Sequence, residues 1–163
     1  MTTPEEVAIV DVPAEDRGPL EKILEESFEG WYLRHSKGTL HDVDVVRAAV
    51  SSGVSVGLVM LKALEPEVGY VYYIAVAKAN RRTGIARLLL RDALTRFRGS
   101  GVKEVFAGVE EDNGPSEGLF MAEGFTRTGF GELSRKHGML HALNMYRMMV
   151  VVPGEVLLHK ELS

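Results

Sequence analysis

The chain has 163 residues, 45% of them apolar and 26% charged, with a formal net charge of −4 and no cysteine. That length and balance predict one globular domain and exclude a disordered or fibrous chain, while the acidic net charge argues against a general nucleic-acid binder. Without thiols there are no disulfides, no thiolate metal ligands and no cysteine nucleophile, and with no basic, apolar leader and no apolar stretch near the roughly 20 residues of a membrane span, a cytoplasmic protein with no membrane partner is expected.

Along the chain, Val7 to Val12 reads as a strand ended by Pro13, and a helix follows from about Asp16 to Phe28, with Leu20, Ile23, Leu24 and Phe28 at helical spacing. Trp31 to Leu40 reads as irregular, and His41 to Val50 as a strand or a short helix running into one. Val54 to Leu64 is a strand between turn signals, and Tyr70 to Ala77 is apolar and aromatic enough for a strand buried on both faces. Gly84 to Arg98 places Ile85, Leu88, Leu89, Ala93 and Phe97 on one helical stripe. Val102 to Val109 is a strand, Pro115 to Ala122 a short helix, Phe125 to Leu133 a strand and Ala142 to Val152 a long final strand. Residues 153–163 are left as an unmatched C-terminal tail. Hairpins mixed with crossovers predict an α+β (mixed α/β) fold, with a mostly antiparallel sheet of six to seven strands and helices on both faces.

Charge is unevenly spread. Seven basic residues fall between Lys78 and Arg98 against the single acid Asp92, whereas six acids and no Lys or Arg fall between Glu104 and Glu123. Such a chain can hold a polyanion at one place and attract a cation to another.

The cationic stretch begins with Arg81-Arg82-Thr83-Gly84-Ile85-Ala86-Arg87, between the buried strand and the helix. The first turn of a helix leaves backbone N–H groups unpaired at the positive end of the macrodipole, so an anion is held there. Gly84 and Ala86 leave room for phosphate oxygens, and Arg81 and Arg82 can add charge-assisted contacts.

Placed after Ile74-Ala75-Val76, this pattern resembles the coenzyme-A pyrophosphate signature of the GNAT superfamily of N-acetyltransferases, Gln/Arg-x-x-Gly-x-Gly/Ala. A second stretch, Asn113-Gly-Pro-Ser-Glu-Gly-Leu-Phe-Met-Ala-Glu-Gly-Phe125, is similar to that family's Asn…Ala-x-x-Leu-Tyr-x-x-x-Gly-Phe segment. The resemblance implies a splayed parallel strand pair forming an acetyl-CoA cleft, with Ile74 and Val76 offering backbone groups to the pantetheine arm and Asn113, Ser116 and Phe120 on the coenzyme's other side. It implies acetyl transfer from acetyl-CoA to a primary amine (a protein N-terminus, a lysine, a polyamine or a small amine) by direct attack in a ternary complex, with no metal.

The implied mechanism needs a polarising N–H, assigned to the Val76 backbone, and a base for the amine. Candidate bases are Glu110 and Glu111 after one strand and Tyr73, or its neighbour Tyr72, on the other; adjacent strand residues face opposite sides, so one of each pair faces the cleft. Where the family places a tyrosine as thiolate-side proton donor, this chain has Phe120. A thiol pKa near 8.5 still makes thiolate a fair leaving group, although an acetyl-CoA-binding module of weak or no turnover also fits.

Two other patterns compete. Gly114-Pro-Ser116-Glu-Gly118 satisfies the nucleophile elbow of serine hydrolases, with Glu132 and then His137 or His141 downstream in the right order. His137-Gly-Met-Leu-His141 has the spacing of a helical metal pair, but Gly138 favours a loop joining the last two strands. Neither the acceptor nor the oligomeric state is written in a motif, and a homodimer using the tail stays open.

Overall fold

The computed structural model describes residues 6–111, 113–151 and 153–162; Met1–Glu5, Asp112 of the acidic turn and Val152 lie outside the described residues. Seven strands form one sheet in the order β1-β2-β3-β4-β5-β7-β6. They are β1 (Ala8–Asp11), β2 (Val45–Ser51), β3 (Val54–Glu65), β4 (Val68–Val76), β5 (Glu104–Glu110), β6 (Thr126–Thr128) and β7 (Glu155–Glu161). The helices are α1 (Glu21–Ser27), α2 (Gly30–Asp42), α3 (Ile85–Gly99), α4 (Gly114–Ala122), α5 (Phe130–His137) and α6 (Met139–Met149). The expected mixed, mostly antiparallel sheet is present, and β4 with β5 is its parallel pair.

Contacts gather the chain into two compact units, one of residues up to Lys62 with Tyr73–Arg96 and the other of Ala63–Tyr72 with Phe97 onward. In the first unit β1, β2 and β3 are antiparallel neighbours. Its core gathers Leu24, Leu40, Ala48, Leu58, Leu89 and Leu90, all fully enclosed. Gly57 has a packing role: a Cβ there would come within 3.1 Å of both Ile85 and Leu89 side chains and 3.2 Å of the Ala75 carbonyl. Its hydrogen lets α3 lie close against the strands, which fixes where that helix begins.

Arg17, only 5% exposed, anchors the end of α2. Its guanidinium donates to the carbonyls of Val12 (3.1 Å), Leu40 (3.0 Å), Val43 (2.6 Å) and Asp44 (3.3 Å). Leu40 lies in the last turn of α2, where carbonyls lack helical partners and a cation is favoured by the macrodipole. Arg47 makes a second polar clamp, gripping both carboxylate oxygens of Asp92 on α3 at 2.5 and 3.0 Å and reaching Asp11 at 2.9 Å.

In the second unit β5 pairs antiparallel with β7 and β7 with β6. The core beneath α5 and α6 is formed by Tyr70, Phe106, Leu133, Ala142, Met145, Met149 and Leu157.

Four sequence expectations are corrected here. Trp31 to Leu40 is not irregular but most of α2. The strand expected at Phe125–Leu133 is three residues of β6 followed by α5, and the strand expected at Ala142–Val152 is the body of α6. The final strand lies instead in the tail, as β7. Ala142, Met145 and Met149 are the buried residues of α6, at helical spacing, so the β-like run Met148–Val152 had masked a 3.6-residue period.

Candidate functional site

In the first unit β4 runs into a strand-to-helix turn. Ala77 N–H donates to the Val56 carbonyl on β3 at 2.8 Å. Because successive strand residues alternate, the N–H groups of Ile74 and Val76 point away from β3, to the other edge of β4. The parallel register with β5 runs from Val68↔Glu104 to Val71↔Ala107, and β4 continues to Val76 beyond it.

The turn itself bends twice into the left-handed region, at Arg82 (φ 64°) and Gly84 (φ 84°). Glycine takes this conformation without cost, whereas for arginine it is strained and marks a shape held for a reason. Arg81 just before is extended (φ −69°, ψ 154°), so the chain reverses sharply at Arg82, and α3 then adds the unpaired donors of its first turn. Thr83 closes the turn through its Oγ1, which donates to the Asn80 carbonyl at 2.5 Å. Arg82, Gly84 and Arg87 are exposed, Ala86 is half-buried and Ile85 is a core residue.

Arg81 differs from the expectation. Its guanidinium is engaged with the protein, donating to the Val76 carbonyl (3.2 Å), the Glu26 carbonyl (2.7 Å) and Ser27 Oγ (3.4 Å). It ties the turn to the end of α1.

The two candidate tyrosines face opposite ways, as alternation requires. Tyr72 donates its hydroxyl to the Met148 carbonyl on α6 at 2.9 Å and is thereby committed. Tyr73 reaches α2, with its hydroxyl 2.6 Å from His35 Nδ1. Phe28 meets the Tyr73 ring edge-on at 5.2 Å, and Trp31 stacks on His35 at 4.8 Å with only 10° between planes. Burial without a charged partner pushes the His35 pKa below its ordinary 6.5. His35 was missed in the sequence because α2 was read as irregular; the i, i+4 pair Trp31 and His35 was the available signal.

In the second unit Glu110 ends β5, half-buried and in register with Glu155, and the exposed Glu111 donates its N–H to the Gly154 carbonyl at 2.9 Å. Asn113 caps α4, its Oδ1 accepting from Ser116 N–H at 3.3 Å. Phe120 is 5% exposed and packs edge-on against Phe125 at 5.1 Å. Ser116 lies in the first turn of α4 with no left-handed backbone, unlike a strained nucleophile elbow. The residues that elbow would require have other partners: Glu132 with Thr128, His141 with Glu65, and His137 with Glu104. His137 closes α5 and His141 lies in α6, so the expected loop of two histidines is two helices broken at Gly138.

That unit also holds a polar cluster. Glu104 Oε1 stands 3.4 Å from His159 Nε2 and 3.7 Å from His137 Nε2, and these three buried atoms make no hydrogen bond among the described residues. The separations suit electrostatic attraction more than hydrogen bonding. His159 first, then Lys136 at 3.4 Å, hold the Glu104 carboxyl down to about 2 against the cost of its burial. Among the described residues no helix is long and apolar enough to cross a membrane, and no group of three or more His, Cys, Asp or Glu is arranged to hold a metal ion.

Comparison with known proteins places these features. The chain is 40% identical over 57 residues to GCN5-related N-acetyltransferase 6, chloroplastic, of Arabidopsis thaliana, a match covering 35% of this chain and 20% of that protein. Its fold matches the ribosomal-protein-S18-alanine N-acetyltransferase of Escherichia coli with a TM-score of 0.73 and 13% identity, over 96% of this chain and 94% of the other. It also matches a GNAT family acetyltransferase from Elizabethkingia anophelis with acetyl-CoA bound, with a TM-score of 0.71 and 18% identity, over 97% and 99% of the two chains. The family model of the acetyltransferase (GNAT) family matches residues 9–125, which spans β1 through α4 and includes both β4 and the doubly bent turn, and the chain belongs to that family.

Proposed function

We propose that this chain transfers an acetyl group from acetyl-CoA to a primary amine by direct attack in a ternary complex. The observation that carries the proposal is the turn after β4, where Arg82 and Gly84 take left-handed conformations immediately before the unpaired donors of a fifteen-residue helix. A helix N-terminus entered through such a turn suits a pyrophosphate, and a pyrophosphate is an anionic part of coenzyme A. Two of the proteins it resembles are named as N-acetyltransferases, which supports an amine as acceptor.

In this reading Thr83 to Arg87, with Arg82, hold the pyrophosphate. Ile74 and Val76 offer their backbone N–H groups to the pantetheine. The amine nitrogen attacks the thioester carbonyl carbon, and the oxyanion that forms takes the Val76 N–H. The C–S bond then breaks and the thiolate leaves. A side chain near the acceptor takes the amine's proton; Glu110, Glu111 and Tyr73 are the candidates. A second reading, coenzyme binding without turnover, is favoured by Phe120, a side chain with no proton to donate where the family has tyrosine.

The two readings are separated by acetyl-CoA-dependent thiol release over a panel of peptides and amines, run beside calorimetry of acetyl-CoA binding. The proposal expects binding and release on at least one amine. Binding with no release on any of them turns the assignment to the silent module, and no binding at all removes both.

A further inference from the structure

We propose that His35 receives the proton of the acceptor amine through Tyr73, the pair forming a two-step relay. The inference rests on the transferase reading above and deepens it by choosing among the candidate bases. Tyr73 lies three residues before Val76, about 10 Å along the strand, a span that a tyrosine side chain and a bound amine cover between them.

A phenol alone is a poor base: with a pKa near 10, about one tyrosine in a thousand is ionised at pH 7. A phenol bonded to a neutral imidazole has no such handicap. The amine passes its proton to the Tyr73 oxygen while the Tyr73 hydroxyl proton moves over the 2.6 Å contact to His35 Nδ1. The sum is one ammonium converted to a nucleophilic amine and one imidazole converted to imidazolium, with tyrosine unchanged. His35 is itself only half-buried, and its imidazolium then releases a proton to water.

The surroundings keep His35 neutral until then. Phe28 and Trp31 carry no charge, and the charged groups on the framing helices are engaged elsewhere or solvated. Lys37 pairs with Glu25 and Glu21, His41 with Glu21, and Arg81 with the end of α1, while Glu29 and Arg34 are exposed. No carboxylate is recorded in contact with the His35 ring among the described residues, which separates it from the Glu104 cluster.

The test is thiol release against pH for the native protein, His35→Gln, Tyr73→Phe and the double variant, with acetyl-CoA affinity measured in each. A positioned base contributes 10²- to 10⁴-fold, so each single variant should lose about 10²-fold or more in kcat, with the KM for acetyl-CoA within about twofold and the double variant little worse than either. The native acid limb should fall below pH 6.5 and disappear in His35→Gln. Native kcat and an unchanged acid limb in His35→Gln overturn the relay and leave the transferase reading standing. Should that variant lose coenzyme affinity, Tyr73→Phe decides, since it removes one oxygen and keeps the ring against Phe28; unchanged turnover there overturns the relay. Native protein that binds acetyl-CoA and releases no thiol on any amine overturns the transferase reading and this inference with it.

Discussion

Two histidine neighbourhoods in this protein solve burial differently. His35 faces the Tyr73 phenol and the Trp31 ring, and burial alone lowers its pKa. His137 and His159 flank Glu104, whose carboxyl is held down to about 2, by His159 first. The carboxyl with the larger displacement sits beside Lys136 and His137 of α5, and the histidine with the smaller one touches a candidate base. A perturbed pKa therefore does not mark a reactive group by its size. A buried histidine against a neutral partner is kept neutral by desolvation and so can serve as a proton acceptor, whereas a carboxylate held by neighbouring cations stays ionised.

The comparison can be broken most forcefully at Arg17, which holds the helix that carries His35. Arg17→Ala removes the donor from four carbonyls and should cost roughly 3 kcal/mol, lowering Tm by about 6–12 °C, and turnover should fall with it as α2 loosens. A thermal melt beside the thiol-release assay reads both.

Glu104→Gln strikes the other neighbourhood. It should cost about 1–2 kcal/mol in a chemical denaturation curve, because the carboxylate's contacts with His159 and Lys136 are weakened, and kcat should stay within about twofold of native. Turnover falling as far as in a His35 variant would mean that the two neighbourhoods are not functionally distinct.

The pH dependence of stability separates them by window. Glu104 has a folded pKa below its ordinary 4.5, so its contribution is complete above pH 4.5 and lost as the pH falls toward about 2. Denaturation at several pH values should show that slope in the native protein and a flatter one in Glu104→Gln. His35 also has a depressed folded pKa, so it disfavours the folded state once the pH falls below about 6.5 and through the folded value, an earlier and smaller decline. The smallest effect is expected from Trp31→Ala: about 0.5–1 kcal/mol of stability, with the acid limb of turnover moving up toward pH 6.5 as the His35 ring is rehydrated.

What the sequence disclosed follows the physics of each segment. The apolar strand through Tyr70–Val76, Gly84 and the stripe Ile85–Leu89–Ala93 carry strong local signals, and β4, the turn and α3 lie within two residues of where those signals put them. Alternation along β4 also foretold that Tyr72 and Tyr73 face opposite sides, and Tyr73 is the one that reaches α2. Local signal failed where tertiary packing decides. Gly30, Ser36, Gly38 and Thr39 weaken α2 by propensity, yet Arg17 closes its last turn from 23 residues away. Just past α6 the β-branched Val150 and Val151 suggested a strand, but Ala142, Met145 and Met149 of the helix found a core to face. His35 was hidden for the same reason as its helix, and Arg81 looked like a phosphate ligand because nothing in its own segment reveals the carbonyls of α1.

The central claim is that the turn at Arg82–Gly84 binds acetyl-CoA for transfer to an amine. Titration calorimetry of acetyl-CoA into native protein and Gly84→Glu, paired with circular dichroism, tests it most directly. A side chain at Gly84 must adopt φ 84° and brings a carboxylate to an anion site. The account predicts binding by the native chain and at least a hundredfold weaker binding by a folded Gly84→Glu; equal affinity in the two proteins, with the fold intact, would contradict it.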